Sequence, residues 1–271
     1  MSSGGESVPS GQFKSRFFRI LGEVLKETKN EARAGNLPSP TQRVRYLIHR
    51  LECFDVNPNQ AVGVEARDRY RQESQVRWRR TLPNLSLTWS RALEGDAFIA
   101  KVSQYGGFRS APRILEVGPG YGRLLTTILK QGVAYRTYLG VDLSAANVDY
   151  LRRTFGNERT KFVQGDINTL GLGDKFDLVL SSLTFKHLFP SFEDGLRNIA
   201  KHLSIGSLLI FDLREGSDSY FEPDRITFIR TYSRPEVVRI LEKLGLHLVA
   251  FDNVRHTRGF SRLLVVAATN P

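Results

Sequence analysis

Apolar residues repeat in two different ways along the chain, and the change falls near residue 107. Before it they recur every three or four positions, as at Phe13, Phe17, Ile20 and Val24, which is the spacing of amphipathic helices. The same spacing continues after the breaker LPSP. We predict helices over about 13–25, 44–51, 62–80 and 90–105 and find no strand signal among them.

After residue 107 the linker QYGGFRSAP is followed by short β-rich runs that alternate with helical ones. Alternation of this kind predicts a mostly parallel sheet covered by helices. The predicted strands are 113–117, 137–142, 161–164, 176–181, 206–212, 246–252 and 261–267. Only about eight residues join the last two strands, too few for a crossover helix, so the last strand should run antiparallel to its neighbour.

Local signals set the ends of two of the intervening helices. Ser144 follows the second strand and can cap the next helix, while Ser233 and Glu236 have the spacing of a capping box. Gly245 should end that second helix. The chain is therefore expected to comprise a disordered terminus (1–12), a helical region (13–107) and an α/β domain (108–271).

The charge is strongly positive and unevenly distributed. The net charge is +11, and residues 1–110 hold 18 Lys and Arg against 11 Asp and Glu. A positive field of this kind attracts an anionic small molecule or a polyanion, but it also fits a solvated helix face. Both interpretations stay open at this point.

The chain has a single cysteine, Cys53, which excludes a disulfide framework and a cysteine zinc site. The five histidines are scattered, so no metal site is expected. We see neither a signal peptide nor a run of about 20 apolar residues that could span a bilayer. A cytoplasmic protein without membrane contact is expected.

The first strand of the α/β domain ends in an acid and a glycine-rich turn, ILEVGPGYGRLL. It contains Glu116, Gly118, Gly120 and Gly122, and Arg123 stands where a dinucleotide-binding GxGxxG sequence needs its third glycine. Glycines let the backbone approach a ligand at the carboxyl end of a strand. The spacing therefore favours a ligand other than a dinucleotide.

These residues resemble the first motif of the class I S-adenosylmethionine-dependent methyltransferases, and the resemblance extends over about 113–270. It includes YLGVDLS, FVQGDI, FDLVLSSLTFKHL and the LSIGSLLIFDLRE strand. It implies a Rossmann-like fold, S-adenosyl-L-methionine as the cofactor and a helical cap that supplies part of the acceptor site. The implied cofactor-binding residues are Glu116, Gly118, Gly120, Gly122, Asp142, Leu143, Asp166, Ile167 and Ser181.

Within this set the resemblance assigns Glu116 and the glycine turn to the methionine part. Asp142 and Leu143 follow the second strand and serve the ribose and adenine, and Asp166 and Ile167 lie at the adenine edge. A carboxylate such as that of Asp142 can accept hydrogen bonds from both ribose hydroxyls.

The resemblance also implies that the acceptor lies near the ends of the first and fourth strands. SSLTFKHL stands there, and His187 is the candidate catalytic base because its ordinary pKa is close to working pH. The alternative is that His187 only caps or packs. The Asn-Pro-Pro-Tyr type of sequence found in enzymes that methylate adenine or glutamine amides is absent, which disfavours those acceptors.

Aromatic and basic residues mark a second candidate part of the acceptor site. Trp78 and Arg80, together with Phe185 and His187, are predicted to bind the acceptor, and Tyr70 and Trp89 are further candidates. An aromatic face can sandwich a ligand and an arginine can bind a carboxylate or phosphate. Alternatively, the two tryptophans dock the helices onto the sheet.

The leading hypothesis is methyl transfer to an oxygen or nitrogen of a small-molecule acceptor, for which the basic charge allows an anionic one. The second is a methyltransferase for RNA or protein that uses the basic N-terminal region, although no recognised RNA-binding module accompanies it. The third is a non-catalytic cofactor-binding protein. The sequence leaves the oligomeric state open.

Overall fold

The computed structural model describes residues 10–33, 39–56, 64–82, 95–255 and 261–270. The chain divides into two compact units. The first comprises Met1–Phe54 with Glu222–Arg225, and the second comprises Asp55–Phe221 with Ile226–Pro271. None of the helices in these described ranges has the length and apolar character of a bilayer-spanning segment.

The first unit contains the helices α1 (Ser10–Arg33) and α2 (Pro40–Glu52). α2 begins at a full capping box between Ser39 and Gln42, which satisfies two otherwise unpaired N–H groups. α1 starts inside the stretch 1–12 that we predict to be disordered, because the first turn of a helix carries little periodic signal. Residues 1–9 of that stretch lie outside the described residues.

The second unit is built from helices and strands in alternation. Its helices are α3 (Val64–Arg79), α4 (Asp96–Gln104), α5 (Arg123–Lys130), α6 (Ala145–Phe155), a single 3-10 turn (Phe185–His187), α7 (Glu193–Ala200) and α8 (Arg234–Lys243). The strands are β1 (Phe54–Asp55), which spans the unit boundary, β2 (Arg113–Val117), β3 (Thr137–Asp142), β4 (Thr160–Gln164), β5 (Phe176–Ser181), β6 (Leu203–Glu215), β7 (Ser219–Phe221), β8 (Phe228–Tyr232), β9 (Leu246–Arg255) and β10 (Ser261–Thr269).

The sheet confirms the predicted topology. The order β4-β3-β2-β5-β6 is parallel throughout, with Leu115 of β2 opposite Leu139 of β3 and Val179 of β5. β10 then pairs antiparallel with both β6 and β9. The caps at Ser144 and Ser233 form as expected, and Gly245 adopts a positive φ of 71° after α8.

The prediction of seven strands is too low, since the described residues contain ten. β8 runs parallel to the end of β6, and β7 pairs antiparallel with β8. β1 and β7 have only two and three residues, too few to show alternation. β8 is buried along its whole length, so its sequence has no alternating polar face to reveal a strand.

The two faces of the sheet pack into separate hydrophobic clusters. Leu115 of β2 lies in the cluster that includes Leu196 of α7, whereas the adjacent Ile114 lies in the cluster that includes Leu124 of α5. Successive residues of a strand point to opposite faces, so helices cover both sides. The carboxyl ends of the parallel strands therefore remain as the place where a ligand can enter.

Candidate functional site

A cavity of about 640 Å³ lies at the carboxyl ends of the parallel strands, entirely within the second unit. Its volume is within the roughly 300–1,000 Å³ typical of small-molecule sites. The residues after β2, β3, β4 and β5 line it, together with the last turns of α3 and Arg262 of β10. This edge of the sheet is where the sequence places the cofactor.

The glycine turn between β2 and α5 adopts the left-handed backbone that glycine permits. A Cβ on Gly118 (φ 71°) would lie 2.2 Å from Oγ1 of Thr184, whereas a Cβ on Gly120 (φ 59°) would meet no atom within 4 Å. Both glycines line the cavity. Gly118 is therefore required by packing and Gly120 leaves open space for a ligand.

Glu116 is the buried penultimate residue of β2 and lines the cavity. Its Oε2 atom accepts a hydrogen bond from the Tyr138 hydroxyl. Burial raises the pKa of Glu116 to about 7, although the Tyr138 hydrogen bond and the positive charge of Arg123 act in the opposite direction. The protonation of this carboxyl group therefore changes near neutral pH.

Asp142 ends β3, and the turn around it holds its carboxylate in place. Oδ2 accepts a hydrogen bond from the Gly120 N–H at 3.0 Å, and Oδ1 accepts one from the Ser144 N–H at 2.9 Å. Burial raises the pKa of Asp142 to about 6, and these hydrogen bonds limit the rise. Asp142 and the adjacent Leu143 both line the cavity.

Asp166 and Ile167, which follow β4, also line the cavity. Oδ2 of Asp166 accepts a hydrogen bond from Nε2 of Gln75 at 2.6 Å, and Oδ1 accepts one from the Asn168 N–H at 2.9 Å. Gln75 lies on α3 and is buried, and the sequence analysis does not identify it. Only its place in an unusually polar helix could have signalled a polar partner.

Three buried polar atoms on cavity-lining residues lack a hydrogen-bond partner among the described residues. They are Oδ1 of Asn147, Oδ1 of Asn168 and Nε1 of Trp78. Such atoms are rare and are commonly satisfied by a bound ligand or water. Two acceptors beside Asp142 and Asp166 fit the hydroxyl and amino donors of an adenosine.

A buried polar network supports the end of β5. Ser182 Oγ donates to Asp212 Oδ2 at 2.6 Å and receives a hydrogen bond from Arg123 at 2.7 Å. The other Asp212 oxygen accepts the Leu183 N–H at 2.9 Å, and Leu183 has a φ of 65°. The network stabilises a backbone conformation that leucine otherwise avoids, and it gives Arg123 a structural role.

His187 lies in the turn after β5 and lines the cavity. Its Nδ1 is 2.7 Å from the Phe228 carbonyl oxygen, so Nδ1 carries the proton and Nε2 keeps a lone pair. Burial, then the positive charges of Lys186, Arg262 and Arg77, lower its pKa well below the usual value. The ring centroid of Trp78 lies 4.3 Å from that of His187.

Three predicted site residues do not line the cavity. Gly122 begins α5, where a Cβ would lie 2.7 Å from the Phe155 ring, so its role is helix packing. Ser181 is buried and donates to the Val117 carbonyl. Phe185 is in the core, with its ring centroid 5.0 Å from that of Phe211. Position at a strand end does not determine the direction of a side chain.

The other predicted acceptor residues have separate outcomes. Trp78 and Arg80 line the cavity. Tyr70 instead packs against Phe189 and Phe221 in a satellite cluster. Trp89 lies outside the described residues. The cavity also includes Lys186 of the predicted SSLTFKHL stretch, and it brings in Arg77 and Arg262, which the sequence analysis does not assign to the site.

Comparisons with known proteins agree with this geometry. Residues 115–211 match the family model described as a methyltransferase domain. A fatty-acid O-methyltransferase of Mycolicibacterium smegmatis is 35% identical over 100 residues, which is 36% of this chain and 36% of that protein. A ribosomal RNA small subunit methyltransferase of Arabidopsis thaliana is 32% identical over 109 residues, 36% of this chain and 30% of the relative. The match thus spans about a third of each relative.

A solved structure covers more of the chain. The 1,6-didemethyltoxoflavin-N1-methyltransferase of Burkholderia thailandensis superposes with a TM-score of 0.61 at 19% identity, over 81% of this chain and 95% of that one. At this identity the likeness establishes the fold. Together with the matched domain, these findings show that the chain contains a methyltransferase domain over residues 115–211 and has the fold of the class I S-adenosylmethionine-dependent methyltransferases.

Proposed function

We propose that this chain transfers a methyl group from S-adenosylmethionine to an oxygen or nitrogen nucleophile of a small-molecule acceptor. The observation that carries the proposal is a single cavity that includes both the strand-end acids and the His187–Trp78 pair. The bound cofactor would supply a methyl group already activated on a sulfonium. The protein then has to align the acceptor and exclude water.

In this proposal Asp142 accepts hydrogen bonds from the ribose hydroxyls. Asp166, Ile167 and the unpartnered oxygen of Asn168 recognise the adenine, and the open side of Gly120 receives the methionine part. The burial of these groups supports the assignment, because hydrogen bonds to a charged carboxylate are stronger where water is scarce. Gly122 and Ser181 support this site only indirectly, through helix packing and the strand end.

Contacts of α3 support a small acceptor. Gln75 of α3 reaches Asp166, Trp78 reaches His187, and the carbonyl oxygen of Thr81 accepts a hydrogen bond from Ser144 Oγ at 2.5 Å. The helix and the residues directly after it thus contact the turns after β4, β5 and β3 in succession. A helix that covers the strand ends in this way favours a small-molecule acceptor over a polymer.

Labelling separates the small-molecule proposal from its alternatives. The protein is incubated with methyl-labelled S-adenosylmethionine and a cell extract divided into small molecules, RNA and protein. We expect label in the small-molecule fraction, and much less of it with Asp142→Ala at the same subsaturating cofactor concentration. Asp149→Ala removes an exposed carboxylate from α6. This control variant should transfer as much label as the wild-type protein. Label confined to RNA or protein would contradict the proposal.

An RNA acceptor is the second candidate, because the Arabidopsis relative is named for ribosomal RNA and the chain carries a net charge of +11. The SSLTF sequence at the end of β5, in place of the Asn-Pro-Pro-Tyr type that binds a planar amino group, argues against an adenine amino group as the acceptor in RNA and leaves RNA methylation by other chemistries open. The third candidate, a non-catalytic binding protein, would bind S-adenosylhomocysteine but label no fraction.

We further propose that His187 accepts the proton when the acceptor is a hydroxyl, since the Phe228 hydrogen bond leaves Nε2 unprotonated. His187→Gln should lower kcat at least tenfold, in line with the contribution of general base catalysis. It should leave the affinity for S-adenosylhomocysteine within about twofold. If kcat persists and only the cofactor affinity falls, His187 has a packing role.

A further inference from the structure

Charged residues of both signs line the cavity, and three of the cations lie on the side of His187, whereas Arg123 lies near Glu116 and donates a hydrogen bond to Ser182. Glu116, Asp142 and Asp166, here named the acidic end, lie at or just beyond the carboxyl ends of β2, β3 and β4. Arg77 of α3, Lys186 after β5 and Arg262 of β10, here named the basic end, line the same cavity on the side of His187. One cavity therefore presents two electrostatic environments.

Contacts place the basic end beside His187. The Arg77 guanidinium carbon lies 5.6 Å from the centre of the Trp78 ring, and that ring lies 4.3 Å from the His187 ring. Lys186 precedes His187 in the same 3-10 turn. The charges of Lys186, Arg262 and Arg77 all disfavour the protonated imidazole, which shows that their fields converge on this position.

The carboxyl groups of the acidic end already have hydrogen-bond partners within the protein. Glu116 accepts a hydrogen bond from the Tyr138 hydroxyl, Asp142 accepts two from backbone N–H groups and Asp166 accepts one from Gln75 of α3. None of these hydrogen bonds comes from Arg77, Lys186 or Arg262. A cationic acceptor would meet three positive side chains beside His187, whereas an anionic one would be attracted.

We propose that the methyl acceptor carries an anionic oxygen group, a carboxylate or a phosphate ester, and that Arg77, Lys186 and Arg262 bind it. This inference rests on the proposed function, because it assigns the acceptor part of the same cavity. Arginine and lysine are the side chains that recognise such oxyanions. The Trp78 indole N–H, buried without a hydrogen-bond partner among the described residues, supplies a further donor at this end.

Apolar residues beside the basic end define the rest of the acceptor. Leu188, Phe189 and Ile226 line the cavity together with the Trp78 ring. Apolar surface of this kind favours a hydrophobic or aromatic body attached to the charged group. The expected acceptor is therefore amphipathic, with an anionic group and an apolar body, rather than a polyanion.

Binding of matched probes tests the inference without requiring turnover. Protein saturated with S-adenosylhomocysteine is titrated calorimetrically with benzoate, phenyl phosphate, benzamide and benzylamine. We expect benzoate or phenyl phosphate to bind at least tenfold more tightly than benzamide, with benzylamine weakest, and the better of the two anions identifies the oxyanion. If benzamide or benzylamine binds as tightly as both anions, or neither anion binds, the inference is overturned.

Charge-removing variants then locate the anion. Arg77→Gln and Lys186→Met should each weaken binding of the better anion about tenfold or more. This is the scale of a lost hydrogen bond to a charged group. Arg69→Gln removes the same charge from an exposed position on α3. This control variant should change the affinity for the anion less than twofold. Equal losses in Arg69→Gln and Arg77→Gln would show a general field instead of a site.

The titration with S-adenosylhomocysteine alone separates the two proposals. If the wild-type protein does not bind S-adenosylhomocysteine, the proposed function itself fails. If S-adenosylhomocysteine binds in wild type, Arg77→Gln and Lys186→Met alike, but the anions do not bind to wild type, only the acceptor inference fails.

Discussion

The acidic and basic ends of the cavity differ in how the chain assembles them. Each residue of the acidic end lies within two residues of a strand's carboxyl end, and parallel strands bring these ends to one edge. The basic end combines a helix, a 3-10 turn and an antiparallel strand, from Arg77 to Arg262. The proposed cofactor part of the cavity is thus encoded locally, whereas the proposed acceptor part depends on distant segments.

The largest effect should come from filling the acidic end. Gly120→Val places a branched side chain where a Cβ meets no protein atom, so we expect S-adenosylhomocysteine affinity to fall at least a hundredfold, measured by calorimetry. Gly132→Val is the matched control, because Gly132 has a similar positive φ and equally open surroundings away from the cavity. Similar losses of affinity in both variants would mean that backbone strain, not occupancy, is responsible.

A smaller effect should follow from removing the carboxylate that binds ribose in our proposal. Asp142→Ala is expected to weaken the binding of S-adenosylhomocysteine by about 2 kcal/mol, or roughly thirtyfold. This lies in the range for hydrogen bonds to a charged group. Asp149→Ala should leave the affinity unchanged. Wild-type affinity in Asp142→Ala would contradict the ribose assignment while leaving the basic end untouched.

The two ends of the cavity also differ in how many of their residues can be predicted from the sequence. The sequence predicts a mostly parallel sheet with an antiparallel last strand, and its strand-end motifs place Glu116, Asp142 and Asp166, which line one cavity in the structure. These motifs fail for Ser181 and Phe185, because the twist and pleat of β5 and its following turn decide which side chains face inward. Gln75 and Arg262 could not be predicted, since their place depends on tertiary packing of α3 and β10.

Glu116 allows a test of burial at the acidic end. Because its pKa rises from 4.5 to about 7 in the folded protein, the native state holds a proton that the unfolded chain has released. This contribution to stability is present below pH 4.5 and is lost as the pH rises through about 7. The unfolding free energy should fall by about 1–2 kcal/mol between pH 5 and 7 on this account.

Chemical denaturation across that pH range measures the effect. Glu116→Gln resembles the protonated carboxyl group and should remove that part of the pH dependence, whereas Glu158→Gln, at an exposed position, should retain it. If the unfolding free energy changes with pH in the same way for the wild-type protein and Glu116→Gln, Glu116 is ionised across this pH range and its pKa is not raised.

The smallest effect concerns the link between α3 and the acidic end. Gln75→Leu removes the hydrogen bond to Asp166, and we expect S-adenosylhomocysteine to dissociate about fivefold faster, near the 1 kcal/mol of a single hydrogen bond. Gln72→Leu changes an exposed residue of the same helix. S-adenosylhomocysteine should dissociate from this variant at the wild-type rate. Stopped-flow competition measures both. Tighter binding in Gln75→Leu would instead mean that Gln75 competes with the adenine for Asp166, in which case α3 must move before the acidic end can be filled.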